Sequence, residues 1–219
     1  MPATPSACSV TGPNERAMTL TRMERILSLA LLGALALAPT VGSDLHESCK
    51  PAQIAFNVPQ AWVVDNEQAL FVQGFIVPPE PLYALVAAPS PTPSHLVFNP
   101  SSVPWLFVTV ETDDNMLPPS QLYELTPNYL KQLAVDAGNS VTAVKTLFPH
   151  HSVHEGGLSG SGAALTVVSP TSSTSFDELA YGTGDKLWLV IVGCSASCYN
   201  HYYTLITHIM NSVRVGTAA

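Results

Sequence analysis

Six consecutive apolar residues, 187–192 (LWLVIV), stand between Lys186 and Gly193. A strand with one wet face alternates apolar and polar side chains. This run does not, so it reads as a strand buried on both faces. The flanking residues extend the pattern. Residues 176–181 lead into Gly182-Thr183-Gly184-Asp185, a hairpin signal. After Gly193, residues 199–212 read as a helix, with Tyr202, Leu205, Ile206 and Ile209 on one apolar stripe. Residues 213–215 read as a short terminal strand.

Upstream, residues 53–58 (QIAFNV) predict a first strand closed by Pro59, which Trp62-Val63-Val64 continues after a turn. Residues 69–77 (ALFVQGFIV) predict a second strand, stopped by Pro78-Pro79. Residues 78–104 carry eight prolines. Proline removes ladder donors and disfavours helix, so this segment reads as an irregular or extended loop, with 95–98 as a short edge strand. Residues 105–111 (WLFVTVE) are β-branched and aromatic, a strong strand. Ser120 then caps a helix whose Leu122, Leu125, Tyr129, Leu130 and Leu133 recur at helical spacing up to Gly138. Pro127 kinks that helix or restarts it at Thr126. Residues 141–148 read as a strand, 149–162 as a polar loop rich in His, Gly and Ser, and 163–168 as a strand. Strands in runs, broken by two amphipathic helices, predict an α+β domain: an antiparallel β-sheet with helices packed on it. No internal repeat is visible.

Residues 26–38 (ILSLALLGALALA) form an uncharged apolar run behind Arg22 and Arg25. That is the build of a secretory signal. Met18 and Met23 are plausible starts, and the apolar run is short of the roughly 20 residues that span a bilayer. Val41-Gly42-Ser43 offers compact residues for a signal peptidase, so the expected cut follows Ser43, with Ala38 as the second choice. Residues 1–43 are thus read as upstream segment and signal peptide, and 44–219 as a single domain. Cys49 follows His46-Glu47-Ser48, not the small apolar residues of a lipoprotein signal. From Asp44 onward, five Lys or Arg face fourteen Asp or Glu, a net charge of −9. A surface this acidic argues against nucleic acid and against docking on anionic lipid. A membrane enters only through the signal segment, if it stays uncleaved.

The C-terminal block resembles a known family. Gly184-Asp185-Lys186-Leu187-Trp188 opens the buried strand, and the last helix closes Ile209-Met210-Asn211-Ser212-Val213-Arg214-Val215. This looks like the end of the PsbP family of photosystem II extrinsic proteins and the Ran-binding Mog proteins. Val58-Pro59-Gln60-Ala61-Trp62 is similar to the turn that follows the first strand in those chains. The resemblance spans roughly residues 53–215 and implies an α/β/α sandwich around an antiparallel sheet. It carries no function with it, because members range from photosystem subunits to a GTPase partner.

Chemistry has several places to sit. Cys8 lies before the signal and is expected to be lost with it, leaving Cys49, Cys194 and Cys198 in an oxidising compartment. Cys194 and Cys198 are one helical turn apart, within disulfide reach; the alternative joins Cys49 to either. His150, His151, His154 and Glu155 form a second group, able to converge on zinc or copper if their loop makes a helical turn; a solvated loop is the plain alternative. His201 and His208 flank the stripe of the last helix as boundary residues. Residues 157–162 (GLSGSG) match neither a nucleophile elbow nor a phosphate loop and read as flexible loop. Asp113-Asp114 are paired acids or weak calcium ligands, but a strand end followed by a turn explains them. Tyr199, Tyr202, Tyr203, Tyr123 and Tyr129 divide between core and a binding surface.

The sequence therefore reads as an exported, non-catalytic accessory or binding module, in periplasm, cell surface or lumen, acting on a protein or small-molecule partner. The alternative is a secreted metal-dependent or hydrolytic enzyme built on His150, His151, His154 and Glu155.

Overall fold

The computed structural model describes residues 8–11, 44–49, 52–65, 83–89, 101–112, 127–128, 131, 135, 140–183 and 185–216. Eleven strands are described: β1 (Ser9–Thr11), β2 (Asp44–Cys49), β3 (Ile54–Pro59), β4 (Val63–Asp65), β5 (Tyr83–Ala88), β6 (Trp105–Thr112), β7 (Ala143–Glu155), β8 (Leu158–Val168), β9 (Ser173–Gly182), β10 (Lys186–Ser195) and β11 (Arg214–Val215). One helix is described from end to end, α1 (Ala196–Ser212). The strands make two sheets, one of four in the order β1-β2-β3-β11 and one of seven in the order β4-β5-β6-β10-β9-β8-β7. All their pairings are antiparallel.

β10, which holds the apolar run, is the central strand of the larger sheet, between β6 and β9. Trp188, Val190 and Val192 enter one core, and Leu189 and Ile191 enter a second core on the opposite face. The first core also takes Ile54, Phe56 and Val58 from β3 and Ile206, Ile209 and Val213 from the helical end of the chain. The small sheet and α1 therefore cover the same face of the large sheet. The indole Nε1 of Trp188 donates to the Ala52 carbonyl at 2.7 Å, joining the two sheets through a buried hydrogen bond.

The turn 58–62 closes as the sequence suggested, with the Trp62 amide bonded to the Pro59 carbonyl at 2.8 Å. Three readings need correction. Trp62-Val63-Val64 does not continue the first strand: β4 crosses to the larger sheet and pairs with β5. The proline-rich stretch contains β5, six residues buried throughout; its prolines flank the strand without interrupting it. The polar "loop" 149–162 is a β-hairpin, β7 and β8, turned by Gly156 and Gly157 at φ +57° and +81°. A side chain at Gly156 would run into the Val215 carbonyl of β11 at 2.0 Å. The expected strands at 69–77 and 95–98, most of the mid-chain helix, Asp113-Asp114, Tyr123 and Tyr129 lie outside the described residues; Pro127, Asn128, Lys131 and Val135 are helical.

Ser195 caps α1, its hydroxyl accepting from the Cys198 amide at 3.3 Å. Cys194 and Cys198 are bonded, Cα to Cα 5.8 Å, so a disulfide staples the end of β10 to the first turn of α1. Cys49 is bonded to Cys8, not to either of them. That pairing also departs from the reading of Cys8 as lost with the leader, since in the full chain β1 lies beside β2. β2 begins at Asp44, the residue that follows the expected cut.

Candidate functional site

Side chains on β8 alternate about the sheet, and those facing α1 are Gly160, Gly162 and Ala164. Neighbouring side chains close over the first two, the Tyr181 ring on Gly160 and the His151 ring on Gly162, and Ala164 borders a hollow. The hollow is a cleft of about 500 Å³, walled by β7, β9, the C-terminal half of α1, and Arg214. That size is within the usual range for small-ligand sites, roughly 300–1,000 Å³.

Each wall contributes a different chemistry. β7 brings Phe148, His151 and Glu155 to the lining. The His151 ring lies over Gly162, whose missing Cβ would come within 2.9 Å of it. β9 brings Asp177, and the Tyr199 hydroxyl of α1 donates to Asp177 Oδ1 at 2.5 Å. Burial pushes the Asp177 carboxyl above the usual carboxylate range, against the opposing pull of the Tyr199 bond and of His151. Burial, with the Asp177 carboxylate beside it, pushes the Tyr199 hydroxyl up as well. At the mouth, Phe148 and Tyr203 stack with ring centroids 6.0 Å apart, and remain 48% and 42% exposed. At the other end Arg214 Nε faces Glu155 Oε1 at 3.6 Å, and its Nη1 donates to the carbonyls of Asn211 and Val213. Tyr181 lies near that pair; burial raises its hydroxyl pKa, Glu155 adds to the rise and Arg214 opposes it.

Of the four residues singled out as metal ligands, His151, His154 and Glu155 line the cleft and His150 does not. Among the described residues no three His, Cys, Asp or Glu side chains are placed to hold a metal ion. The physical reason is the strand. A helical turn would have stacked residues three and four apart, whereas a strand rises about 3.3 Å per residue and alternates faces. Ser161 is buried on the side of the sheet away from α1. His201 is exposed and meets Tyr202 edge-on at 4.7 Å, while His208 bonds Asp44 at 2.8 Å across to β2. Sequence reasoning missed Asp177, Phe148 and Arg214. One signal was present for Asp177: two adjacent carboxylates, Asp177-Glu178, inside a segment otherwise read as a core strand.

The chain matches the solution structure of cyanobacterial PsbP (CyanoP) from Synechocystis with a TM-score of 0.51 and 13% identity, over 86% of this chain and 99% of that one. The fold is PsbP-like. The chain is also similar to the crystal structure of LpqN, involved in cell envelope biogenesis of Mycobacterium tuberculosis, at TM-score 0.49 and 11% identity, over 74% of this chain and 82% of that one. No protein-family model matches the chain, and no curated protein matches it in sequence. The likeness to CyanoP fixes the antiparallel α+β architecture. Of the expected sandwich, the described residues show one face covered, by α1 and the smaller sheet.

Proposed function

We propose that this protein is an exported, non-catalytic accessory module that binds its ligand in the cleft between α1 and strands β7–β9. Export is supported by the leader-like segment 26–38 and by disulfide-bonded cysteines, which belong to oxidising compartments. The observation that carries the binding role is the cleft of about 500 Å³ itself, lined by Ala163, Ala164 and Asp177 and edged by the half-exposed rings of Phe148 and Tyr203. A sheet under a helix is ordinarily filled to close packing. Here the space is kept, and polar groups line it.

The hydrolytic alternative drew on residues of one loop. The cleft instead sets His151 near a carboxylate whose bonded hydroxyl is Tyr199, a phenol held by burial in its protonated form. That is an arrangement for holding a group in place, and it supplies no activated serine.

The test is a ligand-observed and amide-shift NMR screen of a small-fragment set against the exported chain. Binders are expected to shift amides of Phe148, His151, Asp177 and Tyr203. In Gly162→Val the new side chain pushes the His151 ring and Leu179, which a Cβ would already meet at 2.9–3.0 Å, toward the cleft they line, and binding is expected to be lost with the fold intact. Fragments that bind elsewhere, or equally well to Gly162→Val, would overturn the reading.

A further inference from the structure

The aromatic rings of the cleft form a continuous series that ends on a carboxylate. Phe148 stacks on Tyr203 at 6.0 Å, Tyr203 meets Tyr199 at 6.0 Å and 60°, and Tyr199 bonds Asp177 Oδ1. The other carboxylate oxygen, Oδ2, accepts no hydrogen bond among the described residues. The titratable charges lining the cleft are His151, His154 and Glu155 from β7, Asp177 and Glu178 from β9 and Arg214 from β11; α1 lines it with the uncharged Tyr203, Thr207, Met210 and Asn211. Arg214 is engaged by Glu155 and two carbonyls, so Asp177 has no Lys or Arg partner among the described residues. A carboxylate whose basic neighbour is an imidazole, His151, at the end of a chain of aromatic rings, is a site suited to a cation. Ring faces carry negative quadrupole density, and they attract ammonium groups most strongly when water is partly excluded.

We propose that the cleft binds a small organic cation, an alkylated ammonium whose charge sits against Asp177 and whose methyl or methylene groups rest on Phe148 and Tyr203. This deepens the cleft-binding reading and rests on it. Amine-bearing ligands of this size leave room in about 500 Å³ for a second, polar part directed toward Asn211 and Arg214.

The experiment titrates the exported chain near neutral pH with choline, with tetramethylammonium, and with dimethylbutanol, the uncharged isostere of choline. Amide shifts at Phe148, Asp177 and Tyr203 report the site. Choline is expected to bind there, with the isostere at least about tenfold weaker, the difference being the charge. Asp177→Asn is expected to erase the distinction between them. Tyr203→Ala, a change at a half-exposed position that leaves the core untouched, is expected to weaken both cations and provides the test should Asp177→Asn fail to fold. Equal binding of choline and its isostere, or an unchanged choline affinity in either folded variant, overturns the inference. If neutral fragments shift the cleft and both cations do not, the cation falls and the cleft reading stands. If no probe shifts the cleft, both fall.

Discussion

Trp188→Phe tests whether the two sheets are joined where the structure joins them. Trp188 is 1% exposed, and its indole donates to the Ala52 carbonyl, itself fully buried at the start of the smaller sheet. Two losses follow from the substitution. Removing the pyrrole ring leaves a void of about 40 Å³, which at about 24 cal/mol per Å³ costs about 1 kcal/mol. Removing the donor leaves a buried carbonyl short of its partner, about 1–3 kcal/mol. The sum, about 2–4 kcal/mol, corresponds to a fall in Tm on the order of 4–16 °C for a domain of this size. Trp105→Phe is the matched control. Trp105 is also buried, packs edge-on against Phe176 at 5.5 Å, and among the described residues has no hydrogen-bond partner for its Nε1. Its replacement loses volume but relieves an unpaired N–H, so it should cost about 1 kcal/mol or less. Urea melts followed by far-UV circular dichroism read both, with the m value expected to stay constant. If Trp188→Phe costs no more than Trp105→Phe, the Trp188–Ala52 bond does not tie the sheets and the reasoning is wrong.

Two further expectations follow from buried groups. Glu47 is fully buried, with the Tyr83 hydroxyl donating to Oε1 at 3.3 Å and, among the described residues, no hydrogen-bond partner for Oε2; burial raises its pKa against the opposing Tyr83 bond and His46. A carboxyl whose folded pKa exceeds its unfolded one binds protons more tightly when native, so its stabilisation is complete below the unfolded value and is lost as pH rises through the folded value. Asp177 acts in the same sense. Urea midpoints should therefore fall with rising pH above the ordinary carboxylate range, and Glu47→Gln should flatten that slope and be the more stable protein at neutral pH; an unaltered slope would count against the buried carboxyl. The cysteines give the other expectation. A chain entering export has Cys8 and Cys49 on opposite sides of the apolar segment, so the secreted protein is expected to begin at Asp44 and to take one alkylating label, at Cys49, only after unfolding, with Cys194–Cys198 intact. Intact mass with peptide mapping decides it, and a Cys8 peptide bonded to Cys49, as in the full chain, would show that the leader is retained.

What the sequence disclosed follows from where periodicity is enforced. β10 is covered on both faces along its middle, so positions 187–192 had to be apolar, and the run was plain. The stripe of α1 and the turn at Trp62 were legible for the same reason: each has a dry side and a wet side. β7 was not legible, because it is the edge of the sheet and most of its residues face water whichever way they point. Its shifts of register at Thr146, Phe148 and His151 break what alternation remained. β5 was hidden by composition, since prolines on either side of six apolar residues made the whole stretch look irregular. β8 was misread most instructively. Gly and Ser in alternation look flexible, yet here they are a paired strand with its small side chains under the helix. The candidate site escaped notice with it, because its walls come from segments far apart in the chain.

The two glycines of β8 are there for different physical reasons. A Cβ at Gly160 would meet the Ala180 carbonyl oxygen at 2.3 Å and the Tyr181 ring at 2.7 Å. Backbone does not move aside at that distance, so Gly160 is demanded by the close approach of neighbouring strands, whatever the protein does. At Gly162 the Cβ would meet only side chains, the His151 ring and Leu179. Those can turn away, and a larger residue there would bury apolar surface that the fold now forgoes, at roughly 25 cal/mol per Å². The ring that lies against Gly162 is itself a wall of the cleft, so this glycine sets where His151 stands in the site.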